Sequence, residues 1–209
     1  MNTETNEKQP ITKKQKTTLI VLAMIAACLI VTSVLVFWVL PNMLRSRFKL
    51  EHVDLIKQYS LQYNLDPALV CGVIYTESGF KEHATSRVGA KGLMQIMPQT
   101  GAEIAEALGE PFSEDSLYDP EISIRYGCYY LRAQLDRFDQ NEAVTLAAYN
   151  AGPHRASLWI SEYGLDSNGH IRYIPFGETD RYVDKVLQAK ENYANLYAKE
   201  LALDTEDGE

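Results

Sequence analysis

From Leu19 to Leu40 the sequence runs 22 residues without a charge. At about 1.5 Å per helical residue the run spans roughly 33 Å, enough for a hydrocarbon core of ~30 Å. A segment of this kind is expected to be a membrane-spanning helix that stays on the protein. A cleaved signal peptide has a shorter apolar region and a small-residue cleavage site, whereas this run closes with Leu40, Pro41 and Asn42. Ile25, Ala26, Ala27 and Cys28 resemble a lipoprotein processing box, but twelve more residues of the uncharged run, ten of them apolar, follow Cys28, where a lipidated chain would turn polar. The span divides the chain into a polar tail (1–18), the span itself (19–40), a juxtamembrane tether (41–50), one larger domain (51–203) and an acidic tail (204–209) expected to fray. Lys8, Lys13, Lys14 and Lys16 precede the span and Arg45, Arg47 and Lys49 follow it, so four basic residues against three leave its orientation open.

Residues 51–209 carry 13 Lys and Arg against 26 Asp and Glu, a net charge of −13, while the first 50 residues carry 7 basic and 2 acidic side chains. An acidic domain argues against nucleic acid as a partner, because binding polyphosphate depends on basic side chains displacing counterions. A neutral or mixed-charge polymer suits it better. About 159 residues suffice for one core and are too few for two ordinary domains. Cys71 and Cys128 fall inside expected helices; they read as small buried hydrophobes, with a disulfide as the alternative. His52, His83, His154 and His170 are scattered and no CxxC occurs, so no metal or cofactor is expected.

The punctuation is helical throughout. Asp66-Pro67 and Asp119-Pro120 each read as an N-cap followed by proline at the first helical position, where its missing amide hydrogen costs nothing. Helices are expected over 51–63, 67–78 with Gly79 as its stop, 98–108 ended by Gly109, and from Asp119 through Phe138 with Ile122, Tyr126, Tyr129, Ala133 and Phe138 as a buried stripe. Shorter helices follow over 142–150, stopped by Gly152, and over 153–163. A loop spans 164–177, and a last helix runs from Thr179 with Val183, Val186, Leu187, Ala194 and Tyr197 inward. No stretch alternates as a strand, so the domain is expected to be mostly α.

Glu77 stands where one of these helices should end, just before a glycine-punctuated loop. A carboxylic acid delivers a proton near neutral pH only if its pKa is raised. The helix dipole at a C-terminus disfavours the anion by about 0.3–1 kcal/mol, less than one pKa unit, so a partly desolvated cleft must supply most of the shift. The plain alternative is a solvated surface glutamate.

Three blocks decide between these readings. ESGFKEHATSRVGAKGLMQIMPQTG (77–101), AAYNAGP (147–153) and PFGETDRYV (175–183) occur in the order found in lytic transglycosylases of the soluble-lytic-transglycosylase type, and the domain resembles that family over roughly residues 54–197. The resemblance implies a lysozyme-like, goose-type helical fold acting on peptidoglycan glycan strands. Glu77 would be the single catalytic acid and then base. The sugar's N-acetyl group would assist departure and its C6 hydroxyl would attack, leaving a 1,6-anhydro muramic end. Ser86, Gln95, Met97, Tyr149, Asn150, Glu178 and Tyr182 would contact substrate, with Tyr149 orienting the acid or the acetamido group. Cell-wall glycan lies outside the membrane, so the implied location is the cell membrane, single-pass, with the domain extracytoplasmic. Asp180 stands where the family often has arginine, and His154 where it often has glycine. A water-using muramidase and a non-catalytic wall-binding module remain the competing readings.

Overall fold

The computed structural model describes residues 13–203. The chain divides between Arg47 and Phe48 into two compact units. The first is one helix, Lys13–Arg47, long and apolar enough to cross a membrane. It comprises α1 (Lys13–Val34), a π-helical stretch (Leu35–Val39) and α2 (Leu40–Arg47). Its apolar side chains from Leu19 to Leu40, the half-covered Val39 apart, are exposed all round, the condition of a helix whose solvent is not water. Pro41 lacks the amide hydrogen that would bond to the residue 37 carbonyl, and the turn before it widens so that the Leu40 amide reaches Leu35 O. The helix thus continues through residues 41–47, where a tether was expected. Proline loosened the ladder without ending it. Residues 1–12 of the polar tail and the acidic tail 204–209 lie outside the described residues.

The second unit is helical, and among its described residues the extended pairings are isolated bridges only. Its helices are α3 (Val53–Gln62), α4 (Pro67–Glu77), α5 (Pro98–Leu108), α6 (Pro120–Arg137), α7 (Glu142–Ala151), α8 (Pro153–Tyr163) and α9 (Gly177–Leu196), with a 3-10 turn at Glu114–Tyr118. The caps read from sequence are in place. Asp66 accepts the Ala68 amide at 2.8 Å and Asp119 that of Ile122 at 3.1 Å; Asn141, not marked in the sequence, caps α7 in the same way through Val144 N at 3.1 Å. Gly109 ends α5 in the left-handed conformation at φ 70°.

The first eight residues of α4, Pro67 to Ile74, are all buried, making it the central rod of the domain. Gly72 lets α9 lie directly on it: a Cβ there would sit 2.9 Å from Val186 O and 3.0 Å from Lys190 N. Lys190 bridges Asp66 (3.2 Å) and Glu142 (2.6 Å), tying the starts of α4 and α7 to α9. The α6 stripe differs in register from expectation. Ser123, Ile124, Tyr126, Gly127, Cys128, Leu131, Gln134 and Leu135 are buried, while Ala133 is exposed and Ile122, Tyr129 and Phe138 are only partly covered. On α9 the inward set is Thr179, Tyr182, Val183, Val186, Ala189 and Tyr193, and Ala194 is exposed. Both helices are covered on more than one side, so a single apolar stripe does not describe them. Cys71 and Cys128 are buried and unbridged.

Between α4 and α5 the chain folds into a tight double turn, with bridges Thr85–Lys91 and Lys91–Ile96. Its seat is cut by missing side chains. A Cβ on Gly92 (φ +79°) would meet Leu117 O at 1.9 Å, and one on Gly127 would meet Met94 Sδ at 2.2 Å. This packing buries Leu93, Met94 and Ile96 and leaves Gln95 and Met97 facing the other way.

Candidate active site

A cleft of about 440 Å³ opens on the second unit, and Glu77, Ser86, Gln95, Met97, Tyr149, Asn150 and Glu178 all line it. A second hollow of about 260 Å³ shares Gln95, Met97, Tyr149 and Asn150 and continues past Thr100, Tyr130 and Gly152. Side chains as far apart in sequence as 77 and 178 therefore form one wall set, because α4, the double turn, the end of α7 and the start of α9 converge there.

Glu77 is the last residue of α4. It is half-buried, and burial pushes its carboxyl from an ordinary 4.5 up to about 7. At neutrality such a group holds its proton about half the time. The nearby Tyr182 hydroxyl opposes the shift modestly. Tyr182 itself is buried, its hydroxyl makes no formed hydrogen bond, and burial with the facing Glu77 charge drives its phenol well above the usual range. Expected as a substrate contact, Tyr182 is placed behind the cleft wall, beside the acid.

Tyr149 also feels the Glu77 charge, but its hydroxyl donates to Met94 O at 2.9 Å. Its one proton is committed to the double turn, so toward a ligand or the acid it can only accept. Thr179 donates to Asn150 Oδ1 at 2.8 Å, leaving the Asn150 amide hydrogens for the cleft. Gln95 adopts φ +49°, and its Nε2 donates to Ala84 O (3.1 Å) and Gly92 O (2.9 Å). A left-handed glutamine is uncommon and costs about 1 kcal/mol or more. The two side-chain bonds hold it there and leave Oε1 as its free acceptor. Ser86 Oγ accepts the Ala90 amide at 3.0 Å, closing the 86–90 turn with its own proton unspent. Met97 is 41% exposed, the apolar contribution to the floor, and Glu178 lies exposed in the first turn of α9.

Six cleft residues were not singled out from sequence: Val88, Ala90, Ala151, Arg155, Phe176 and Thr179. Arg155 follows AAYNAGP by two residues and Phe176 sits inside PFGETDRYV, so position within the blocks was the available signal. Among the described residues no group of His, Cys, Asp and Glu could hold a metal ion.

A model of the family described as "Transglycosylase SLT domain" matches residues 54–170. The chain belongs to this family. The Escherichia coli K12 "Soluble lytic murein transglycosylase" is 36% identical over 148 residues, 69% of this chain and 23% of that protein. "Membrane-bound lytic murein transglycosylase C" of Pectobacterium atrosepticum is 27% identical over 180 residues, 73% of this chain and 49% of that one. Among solved structures, the complex of the 70-kDa soluble lytic transglycosylase with bulgecin A superposes with a TM-score of 0.70 at 33% identity, covering 78% of this chain and 27% of that one. The SLT chain has the fold of these enzymes, as its resemblance implied. It spans about a quarter of the length of the soluble relatives it matches.

Proposed function

We propose that the protein is a membrane-anchored lytic transglycosylase that cleaves the β-1,4 bond between N-acetylmuramic acid and N-acetylglucosamine in peptidoglycan. The observation that carries this reading is Glu77: a half-buried carboxyl, raised to about 7, at the end of α4 in a cleft with Ser86, Gln95, Met97, Tyr149 and Asn150. Protonated Glu77 donates to the glycosidic oxygen as the C1–O bond breaks. The N-acetyl group of the same sugar stabilises the developing positive charge. The C6 hydroxyl then attacks C1, and the Glu77 carboxylate takes its proton. An attacker within the same sugar has a proximity advantage over water, so the product is a 1,6-anhydro end and no hydrolytic water has to be held.

The helix Lys13–Arg47 supports a single-pass anchor, and the proposed wall substrate calls for the domain on the extracytoplasmic side. A curated relative is likewise described as membrane-bound.

The test uses purified full chain and isolated sacculi. Turnover is expected to fall by about 10²- to 10⁴-fold in Glu77→Gln, the usual contribution of a general acid, with glycan binding kept. Mass spectrometry of the released fragments should show ends lighter by one water. Hydrated ends would assign a muramidase, and undiminished turnover in the variant would remove Glu77 from the mechanism.

A further inference from the structure

We infer that Arg155 is a specificity residue that reads a carboxylate on the substrate, so that the cleft discriminates by the charge carried on the muramic unit or its peptide stem. This rests on the peptidoglycan reading above and deepens it. Arg155 is the one basic side chain among the residues lining the cleft, which otherwise offers two carboxyls, Glu77 and Glu178. It forms no ion pair with either of them. Its Nη1 donates to Ala151 O at 3.3 Å, across one helical turn. Its guanidinium lies 5.2 Å from the centre of the Phe176 ring, which is itself held edge-on by Trp159 at 5.5 Å. An arginine so placed is pre-oriented, and one bond to a carbonyl leaves most of its five donors unspent.

A cation without an ion-pair partner in the cleft argues for an anionic group on the ligand, set against the charge of the domain around it. The domain carries 13 basic against 26 acidic residues over 51–209, a field that repels anions. Four of its basic side chains are held in ion pairs away from the cleft: Lys91 with Glu114 and Asp115, Arg125 with Glu110, Arg132 with Asp136, and Lys190 with Asp66 and Glu142. Arg155 stands unpaired inside the groove. Glycan hydroxyls need no cation, whereas a planar guanidinium matches a carboxylate with two parallel hydrogen bonds. Peptidoglycan offers that group in two places: on the stem peptide, and on the lactyl arm of the sugar once a stem has been removed.

The experiment measures binding and turnover of the full chain in detergent on three strand preparations: native stems, stems with their carboxylates amidated, and stem-free strands with a free lactyl carboxylate. Binding is read in Glu77→Gln, with and without Arg155→Gln, so it does not depend on turnover. The protein with Arg155 intact should bind a carboxylate-bearing preparation about tenfold more tightly than the amidated one, a difference of about 1.4 kcal/mol. KM for turnover should follow, with kcat little changed. Arg155→Gln should erase the preference and Arg155→Lys should keep part of it. Preference for native stems assigns the stem as the source, and preference for stem-free strands assigns the lactyl arm. Equal binding of all three preparations by the protein with Arg155 intact overturns the inference, as does a preference that survives Arg155→Gln or a uniform loss of binding or kcat on every preparation. Absence of all turnover with the binding preference intact would instead remove the proposed reaction and leave the inference standing.

Discussion

At the scale of single residues, the burial that raises the Glu77 carboxyl to about 7 and suits it to the proposed acid role also makes its anion destabilising. Its carboxyl is raised from 4.5 to about 7 by burial, which means that the folded protein holds a proton the unfolded chain releases between those values. Stability from this group is therefore present below about pH 4.5 and is lost as pH rises toward 7, with the full penalty above 7. A shift of this size corresponds to at most about 3 kcal/mol. Glutamine keeps the shape and never ionises. Glu77→Gln should accordingly unfold at a higher temperature than the native protein at pH 8, with the gain shrinking steadily between pH 7 and 4.5. Paired thermal melts across pH 4–8 would check this; a gain independent of pH would mean that the carboxyl is not desolvated.

At the scale of elements, the site depends on how closely α4 and α9 approach, because α4 delivers Glu77 while α9 brings Glu178, Thr179 and Tyr182. Gly72 sets that separation, with α9 backbone atoms at 2.9 and 3.0 Å from where a Cβ would stand. Gly72→Ala gains about 1 kcal/mol of helix propensity, but overpacking against backbone costs about 1–3 kcal/mol, and neither rod can yield locally. A net loss of about 1 kcal/mol is expected, with a larger fractional fall in turnover than in stability, read from urea unfolding beside initial rates. Most of the element plan was legible in the sequence because it rests on local chemistry: Asp66 and Asp119 cap through bonds to amides two or three residues on, and Gly109 stops α5 by its own φ. The position of Glu77 was legible for the same reason, since it stands at a marked helix end. What sequence could not give were relations made by packing. The register of α6 depends on Met94 sitting against Gly127, the placement of Tyr182 behind the wall depends on α9 lying on Gly72, and the commitment of the Tyr149 proton to Met94 O depends on the double turn.

At the scale of the whole molecule, the boundary between the two units falls within one peptide bond. Arg47 ends α2 and the next residue, Phe48, is already 6% exposed in the core of the second unit. Its ring packs at a tilt against Tyr75, centroids 4.8 Å apart, Tyr197 donates to its carbonyl at 2.7 Å, and Tyr193 donates to Lys49 O at 2.7 Å. The residues expected to form a tether thus split into two parts: 41–47 extend the helix, while the segment opening with Phe48 and Lys49 is clamped by the end of α9. Two truncations follow with different outcomes. A chain beginning at Phe48 keeps these contacts and should be soluble without detergent, fold with the full domain's stability and retain turnover on isolated sacculi. A chain beginning at Val53 loses the buried Phe48 ring, at about 3 kcal/mol or more, and strips the acceptors from two tyrosine hydroxyls, at about 1–3 kcal/mol for each left buried. That approaches the whole stability of an ordinary domain, about 5–15 kcal/mol. It should appear as aggregation or a melt far below that of the longer piece, and equal melts for the two truncations would show that the clamp is dispensable.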